Sequence, residues 1–248
     1  MASKGFLYRR LARLLPCVFP RIGSGCLSLH NKYDIASVRD VFMSAHYWRV
    51  FDHLTAPPRF IVDLGAHCGH FSVLCHLALL ERFGSDSADY ILIEAMPRLI
   101  PEIHRVVGEA GFQNQARIIR GLVGKKEGAA SFKTDSHNLL SSKVLPQTSN
   151  DRVPEFSYSD LDSIVNPGTA IDILKIDIEG SEYDLMENYR HLVCAANLLL
   201  IEVHGTTEEQ LSFERSLSAA GFSPLSPAIV KEHERLLCYG NRHSGQPV

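Results

Sequence analysis

From Phe60 onward the chain alternates short runs of branched apolar residues with longer helical stretches, and that rhythm restricts the fold more than any other feature. Phe60-Ile-Val-Asp-Leu-Gly65 reads as a strand, and His70 to about Phe83 as the helix that follows it. Tyr90-Ile-Leu-Ile-Glu94 repeats the unit. Pro97 suits the first turn of its helix, whose apolar series Leu99, Ile103, Val106 and Val107 stops at Gly111. Arg117 to Val123 gives a third strand and Gly128 to Phe132 a further extended piece. Ile171-Asp-Ile-Leu-Lys-Ile176 and Asn197 to Val203 are apolar on both faces, as strands buried between two helix layers are, so they belong at the centre of a sheet. Between them Ser181 is placed to cap a helix with Glu182 and Asp184 in its first turn, and Thr207 to Ala220 supplies another helix, ended by Gly221. Ala228-Ile-Val-Lys231 and Leu236 to Tyr239 flank a polar stretch as an antiparallel hairpin. Such alternation demands parallel strands joined by right-handed crossovers: an α/β chain with a doubly wound, mostly parallel sheet.

Residues 1–56 read as an N-terminal helical extension packed on a domain that runs from 57 to 248. In the extension, Val38, Val41, Phe42, Ala45, Trp48 and Phe51 form one helical stripe from Ser37, its N-cap, to Leu54, ahead of Pro57-Pro58. Phe6 to Pro16 is basic and amphipathic. Arg9, Arg10 and Arg13 interrupt it where a signal sequence would stay apolar, so it reads as a helix laid over the domain. Thr134 to Tyr158 is polar and without period, a candidate substrate loop or lid. No apolar stretch approaches the ~20 residues that a membrane helix requires. The six cysteines are scattered without metal-ligand spacing, which suits reduced thiols in a cytoplasm. With 25 Lys+Arg against 28 Asp+Glu, a net charge of −3 offers nucleic acid no general attraction, so an anionic partner must be held locally.

Doubly wound sheets bind ligands beyond the carboxyl ends of their strands. Those ends carry Asp63-Leu-Gly-Ala-His-Cys-Gly69, Glu94-Ala-Met96, Asp177-Ile-Glu-Gly180 and Glu202-Val-His204. Gly65 and Gly69 bracket a strand-to-helix turn, where missing side chains let a ligand approach the backbone. Glu94, one strand over, stands where a carboxylate can accept both hydroxyls of a ribose. A pyrophosphate-binding turn needs G-x-G-x-x-G, whereas this turn is D-x-G-x-x-x-G, and Asp63 would repel a pyrophosphate. A nucleoside bearing a cationic amino acid tolerates that acid, and S-adenosyl-L-methionine is such a molecule.

The 63–69 segment resembles motif I of class I S-adenosylmethionine-dependent methyltransferases. Leu174-Lys-Ile-Asp-Ile-Glu-Gly-Ser-Glu182 is similar to the L-K-I-D-x-E-G-x-E signature of the FkbM methyltransferase family, and Ile201-Glu-Val-His204 resembles that family's next strand end. Gly121-Leu-Val-Gly124 and Ser159-Asp-Leu-Asp-Ser-Ile-Val165 extend the likeness, which runs from about Val41 to Phe222. The resemblance implies a Rossmann-like, seven-stranded methyltransferase sheet with a C-terminal antiparallel hairpin. It also implies a cofactor cradle of Asp63, Gly65, Ala66, His67, Gly69, Glu94, Ala95 and Met96.

Methyl transfer to a hydroxyl needs alignment and the removal of one proton. His204, titrating near ~6.5, is the first choice of base, with Asp177 and Glu179 orienting the acceptor hydroxyl or contacting the cofactor's ammonium. The same three residues could hold a divalent metal, but strand spacing alone proves no geometry and no metal is assigned. Glu202 and Lys175 are expected to pair with neighbours, and Cys68 to be a packing residue. The expected activity is O-methylation of a small molecule or glycan. An RNA methyltransferase and a non-catalytic nucleotide-binding scaffold of the same fold are the rivals.

Overall fold

The computed structural model describes residues 32–43, 45–133, 143–145, 155–230 and 234–242. The basic segment Phe6–Pro16 and most of the polar stretch expected as a loop or lid lie outside the described residues. Two helices, α1 (Lys32–Phe42) and α2 (Ala45–Asp52), precede the sheet. The single helix expected from Ser37 is thus two, and Ser37 sits inside α1 instead of capping it: the apolar stripe runs on across a break in the backbone that side-chain spacing does not reveal.

Strands β1 (Phe60–Leu64), β2 (Asp89–Glu94) and β3 (Ala116–Arg120) are connected by α3 (His70–Phe83) and α4 (Ile100–Ala110). Pro97 lies one turn ahead of α4, and Pro101 takes the first-turn place instead. The third strand stops at Arg120, before the expected Val123. A small sheet follows, with β4 (Ala129–Lys133) between β5 (Lys143–Leu145) and β6 (Glu155–Ser157). Next come α5 (Leu161–Ile164), β7 (Ile171–Ile176), α6 (Glu182–Asn188), α7 (Arg190–Cys194), β8 (Ala196–His204) and α8 (Thr207–Ala219). The chain closes with β9 (Phe222–Pro224), β10 (Ile229–Val230) and β11 (Glu234–Asn241).

The main sheet has the order β10-β11-β8-β7-β1-β2-β3, a path of seven strands to which β9 adds an eighth by pairing with β11. The five strands from β3 to β8 are parallel, whereas β11 runs antiparallel to β8 and to both β9 and β10. The fold is therefore a doubly wound α/β sheet with antiparallel C-terminal strands.

Successive strand residues enter opposite core layers. Ile61, Leu92, Ile173, Leu198, Leu200 and Cys238 pack with α2, α3 and α4, while Val62, Ile93, Leu174, Leu199, Ile201 and Leu237 pack with α5 to α8. Helix α3 is buried along its first ten residues, because the sheet covers one side while α1 and α4 contact it too. Ser181 occupies the N-cap of α6 without a side-chain cap bond. Glu182 reaches back instead, accepting from the N–H groups of Ile178 (3.3 Å) and Gly180 (3.1 Å). Helix α8 has a full capping box between Thr206 and Glu209. Among the described residues no helix is long and apolar enough to cross a membrane.

Candidate active site

The period of two that builds the core also builds the site. Ile61, Leu92, Ile173 and Leu200 face the α3 layer, so Asp63, Glu94, Lys175 and Glu202, each two residues further along its strand, face the same way at the carboxyl edge. Asp177 keeps this parity just beyond β7, and Glu234 joins from the start of antiparallel β11, where it is register partner to His204. A cleft of about 640 Å³ opens on this edge, and Glu94, Lys175, Asp177, Glu179, Glu202 and Glu234 line it. A smaller pocket adjoins it, walled by Ala95, Gly121, Leu122 and Val123, and the two cavities share Gly65, Glu94, Asp177 and Glu179.

The glycine turn is shaped from behind. Gly65 has φ +76°, and a Cβ there would lie 1.7 Å from the Asp177 carbonyl oxygen. The missing side chain, expected to make room for a ligand, is demanded by the neighbouring strand's backbone. Beneath it Lys175 Nζ donates to the Gly65 carbonyl at 2.7 Å and sits 3.2 Å from Asp63 Oδ1 and 3.7 Å from Asp177 Oδ2. Burial works against the Lys175 charge, but Asp63 and Asp177 more than offset it and raise its pKa. Asp63, expected in the cofactor cradle, is fully buried and lines neither cavity; its second oxygen accepts from Ser72 Oγ at 2.9 Å. Its place is under the turn, supporting Lys175. Gly69, at φ +81°, is the N-cap of α3 and also lines neither cavity, whereas Ala66 and His67 reach the cleft.

Glu94 is held in one orientation, since one carboxylate oxygen accepts from the His67 N–H and the other from the Met96 N–H, both at 2.8 Å. Each oxygen keeps a lone pair for a ligand hydroxyl. Burial lifts its pKa to about 7 against those two donors. Met96 lines the large cleft and Ala95 the small pocket. Together they give a carboxylate flanked by a mostly apolar recess and a polar cleft, which fits a nucleoside whose sugar sits at Glu94. His67 takes a left-handed backbone, φ +50°, uncommon for a residue with a side chain. Its ring nitrogens are buried with no partner among the described residues, and burial keeps the ring neutral, with a pKa of about 4.

At the far end of the cleft, charges crowd. His204 Nδ1 lies 3.1 Å from Glu182 Oε1, and its Nε2 lies 3.6 Å from Glu179 Oε2 and 3.8 Å from Glu202 Oε1. Burial alone would lower the imidazole pKa, but the hydrogen bond to Glu182 and the charges of Glu182, Glu179 and Asp177 raise it to about 10. His204 is therefore an imidazolium at neutral pH, which corrects the expectation of a base titrating near its ordinary value. Burial, then the charge of Asp177, pushes Glu179 to about 8. Glu202 rises to about 9 for the same two reasons, reinforced by its hydrogen bond to Glu234. Glu179, like His67, has positive φ, +54°.

The structure thus brings Gly65, Ala66, His67, Glu94, Ala95, Met96, Asp177 and Glu179 to the two cavities, with His204 beside the acids, and sets Asp63 and Gly69 behind them. Sequence reasoning missed Tyr47, Glu182 as a partner of His204, and Glu234. Tyr47 comes over the cleft from α2, where burial and the charge of Asp177 raise its pKa well above the usual value. The last two were within reach: Glu182 belongs to the E-G-x-E signature, and Glu234 falls in the polar stretch between the two strands of the expected hairpin. Burial also pushes the Cys68 thiol pKa up, consistent with packing and not with nucleophilic use.

Comparison with known proteins bears on this arrangement. No curated protein matches the chain significantly. Solved structures similar to it include M. capricolum TrmK in complex with S-adenosyl-homocysteine: 10% identity, 81% of this chain and 69% of that one, TM-score 0.44. Others are a methyltransferase from Geobacter sulfurreducens (16%, 79% and 76%, 0.45) and the ribosomal protein L11 methylase of Lactobacillus delbrueckii subsp. bulgaricus (8%, 80% and 78%, 0.45). The sequence profile of the methyltransferase FkbM domain matches residues 63–224, a span that begins at the acid under the glycine turn and takes in every parallel strand end of the site. The chain belongs to the FkbM family of S-adenosylmethionine-dependent methyltransferases.

Proposed function

We propose that the protein methylates a hydroxyl group on a small polar molecule or glycan. One observation carries this: Glu94, oriented by two backbone N–H groups, stands between the small recess and a larger cleft lined, among the described residues, by Asp40, Asp177, Glu179, Glu202 and Glu234 against Arg39 and Lys175. S-adenosylmethionine supplies an activated methyl group. The Gly65–His67 backbone and Glu94 would hold its nucleoside, and Ala95 and Met96 would flank it. A neutral, hydroxyl-rich acceptor can donate hydrogen bonds to the acids of the cleft, whereas a polyanionic nucleic acid would find only Arg39 and the already paired Lys175 among the described lining residues to meet its phosphates. The open cleft lets the released proton leave to water. His204, already protonated, would hold the carboxylates in position.

The test is calorimetric titration of S-adenosylmethionine into wild type and Glu94→Ala, followed by labelled methyl transfer to hydroxyl compounds and to RNA. The expected results are affinity at least tenfold weaker in the variant, or about 1.4 kcal/mol, and label in a methyl ether. Equal affinities, or label in RNA alone, would overturn the proposal.

A further inference from the structure

We propose that Asp177, Glu179, Glu202 and His204 form a binding site for one hard divalent cation, Mg²⁺ or Mn²⁺, at the acceptor end of the cleft. One ligand atom each from Asp177, Glu179 and His204 lie within 4.8 Å of one another, and so do atoms from Glu202, His204 and Glu234. The 3.6 and 3.8 Å separations between His204 Nε2 and the Glu179 and Glu202 oxygens are too long for hydrogen bonds. They are near what a shared ion requires: metal–ligand distances of about 2.0–2.4 Å put adjacent ligand atoms roughly 3 Å apart, a small contraction from the present positions.

The ion would displace the proton on His204 Nε2, and the histidine is otherwise set up as a ligand. Its Nδ1 is anchored by Glu182, a fully buried carboxylate that is itself fixed by two backbone N–H groups, and this turns Nε2 toward the acids. A carboxylate behind a histidine is the usual support for a metal-binding imidazole, because it fixes both tautomer and ring orientation. A second observation, on a side chain outside the cluster, points the same way. His67 lines the same cleft with both ring nitrogens buried and partnerless among the described residues, and Asp177 exerts the strongest charge on it. Buried polar atoms ordinarily have partners, and a hydrated cation beside Asp177 would give His67 a water to bond. Carboxylate oxygens outnumber the single imidazole, which favours a hard ion over zinc or copper.

The ion's role rests on the methyl-transfer reading, although its binding does not. The bound cation would accept the acceptor's hydroxyl oxygen as a further ligand and make its proton more acidic. That proton passes to water, the oxygen forms its bond to the methyl carbon, and the carbon–sulfur electron pair stays on the departing sulfur.

Electron paramagnetic resonance of Mn²⁺ titrated into the chelator-treated full chain tests the site, with S-adenosylhomocysteine affinity measured by calorimetry in the same samples. Wild type should bind one Mn²⁺ saturably. Glu202→Gln and His204→Gln, both checked for unchanged melting, should weaken it at least tenfold while altering S-adenosylhomocysteine affinity less than twofold. Absence of saturable binding in wild type, or unchanged affinity in both variants, overturns the site even if the cofactor binds. Mn²⁺ binding without S-adenosylhomocysteine binding would uphold the site and sink the methyl-transfer reading instead.

Discussion

The two ends of the cleft handle buried charge in opposite ways. Under the glycine turn each charge has its partner: Lys175 is shared by Asp63, Asp177 and the Gly65 carbonyl, and Asp63 takes a further bond from Ser72. Around His204, three carboxylates stand 3.1–3.8 Å from a single imidazole, and Glu179 and Glu202 are both driven up in pKa by burial and then by the charge of Asp177. A network with its partners in place is a scaffold complete on folding, whereas crowded like charges store free energy that a ligand can release. The glycine-turn end is thus built to be rigid, and the His204 end to respond to what binds it.

The sharpest way to break this contrast is Lys175→Met. It leaves Asp63 buried without a counter-charge and should cost about 3–5 kcal/mol in denaturant unfolding, while Glu202→Gln at the other end should cost nothing or stabilise above neutral pH. Similar losses in the two variants would erase the distinction. Next in size is Gly65→Ala. Its Cβ would meet the Asp177 carbonyl at 1.7 Å in a left-handed backbone, so about 2–4 kcal/mol should be lost together with cofactor affinity. A loss below 1 kcal/mol would show that the turn yields. The smallest effect is a pH slope. The folded pKa of His204 lies above its unfolded value near ~6.5, so its stabilising contribution is complete below that pH and fades as pH rises toward about 10. In metal-free protein the stability difference between wild type and His204→Gln should shrink across that window, with the imidazole NMR shift titrating at its upper end. Titration near 6.5 would restore His204 as a neutral base.

Much of the sheet was legible because strands buried on both faces have little choice of residue: the run Leu198 to Ile201 serves two core layers in alternation. The strand ends were legible for the same reason, since Glu94, Asp177 and Glu202 interrupt apolar runs where burial would otherwise forbid a charge. What escaped depended on contacts between distant segments. Nothing near Gly65 in sequence announces the carbonyl of Asp177, and nothing on the apolar stripe of Val38 to Phe51 reveals that it is two helices carrying Tyr47 over the cleft. The charge state of His204 is hidden in the sequence because Glu182 reads there as a helix-dipole residue, whereas its side chain bends back to the preceding turn.

Asp63 and Lys175 are direct register partners on adjacent parallel strands. Were β7 to slip by one residue against β1, the ammonium would be thrust among the oily side chains of the opposite layer and Asp63 would confront a hydrocarbon. Misaligned pairings therefore carry a heavy electrostatic penalty before any substrate is met, so the ion pair acts as a key that admits a single alignment of the two middle strands.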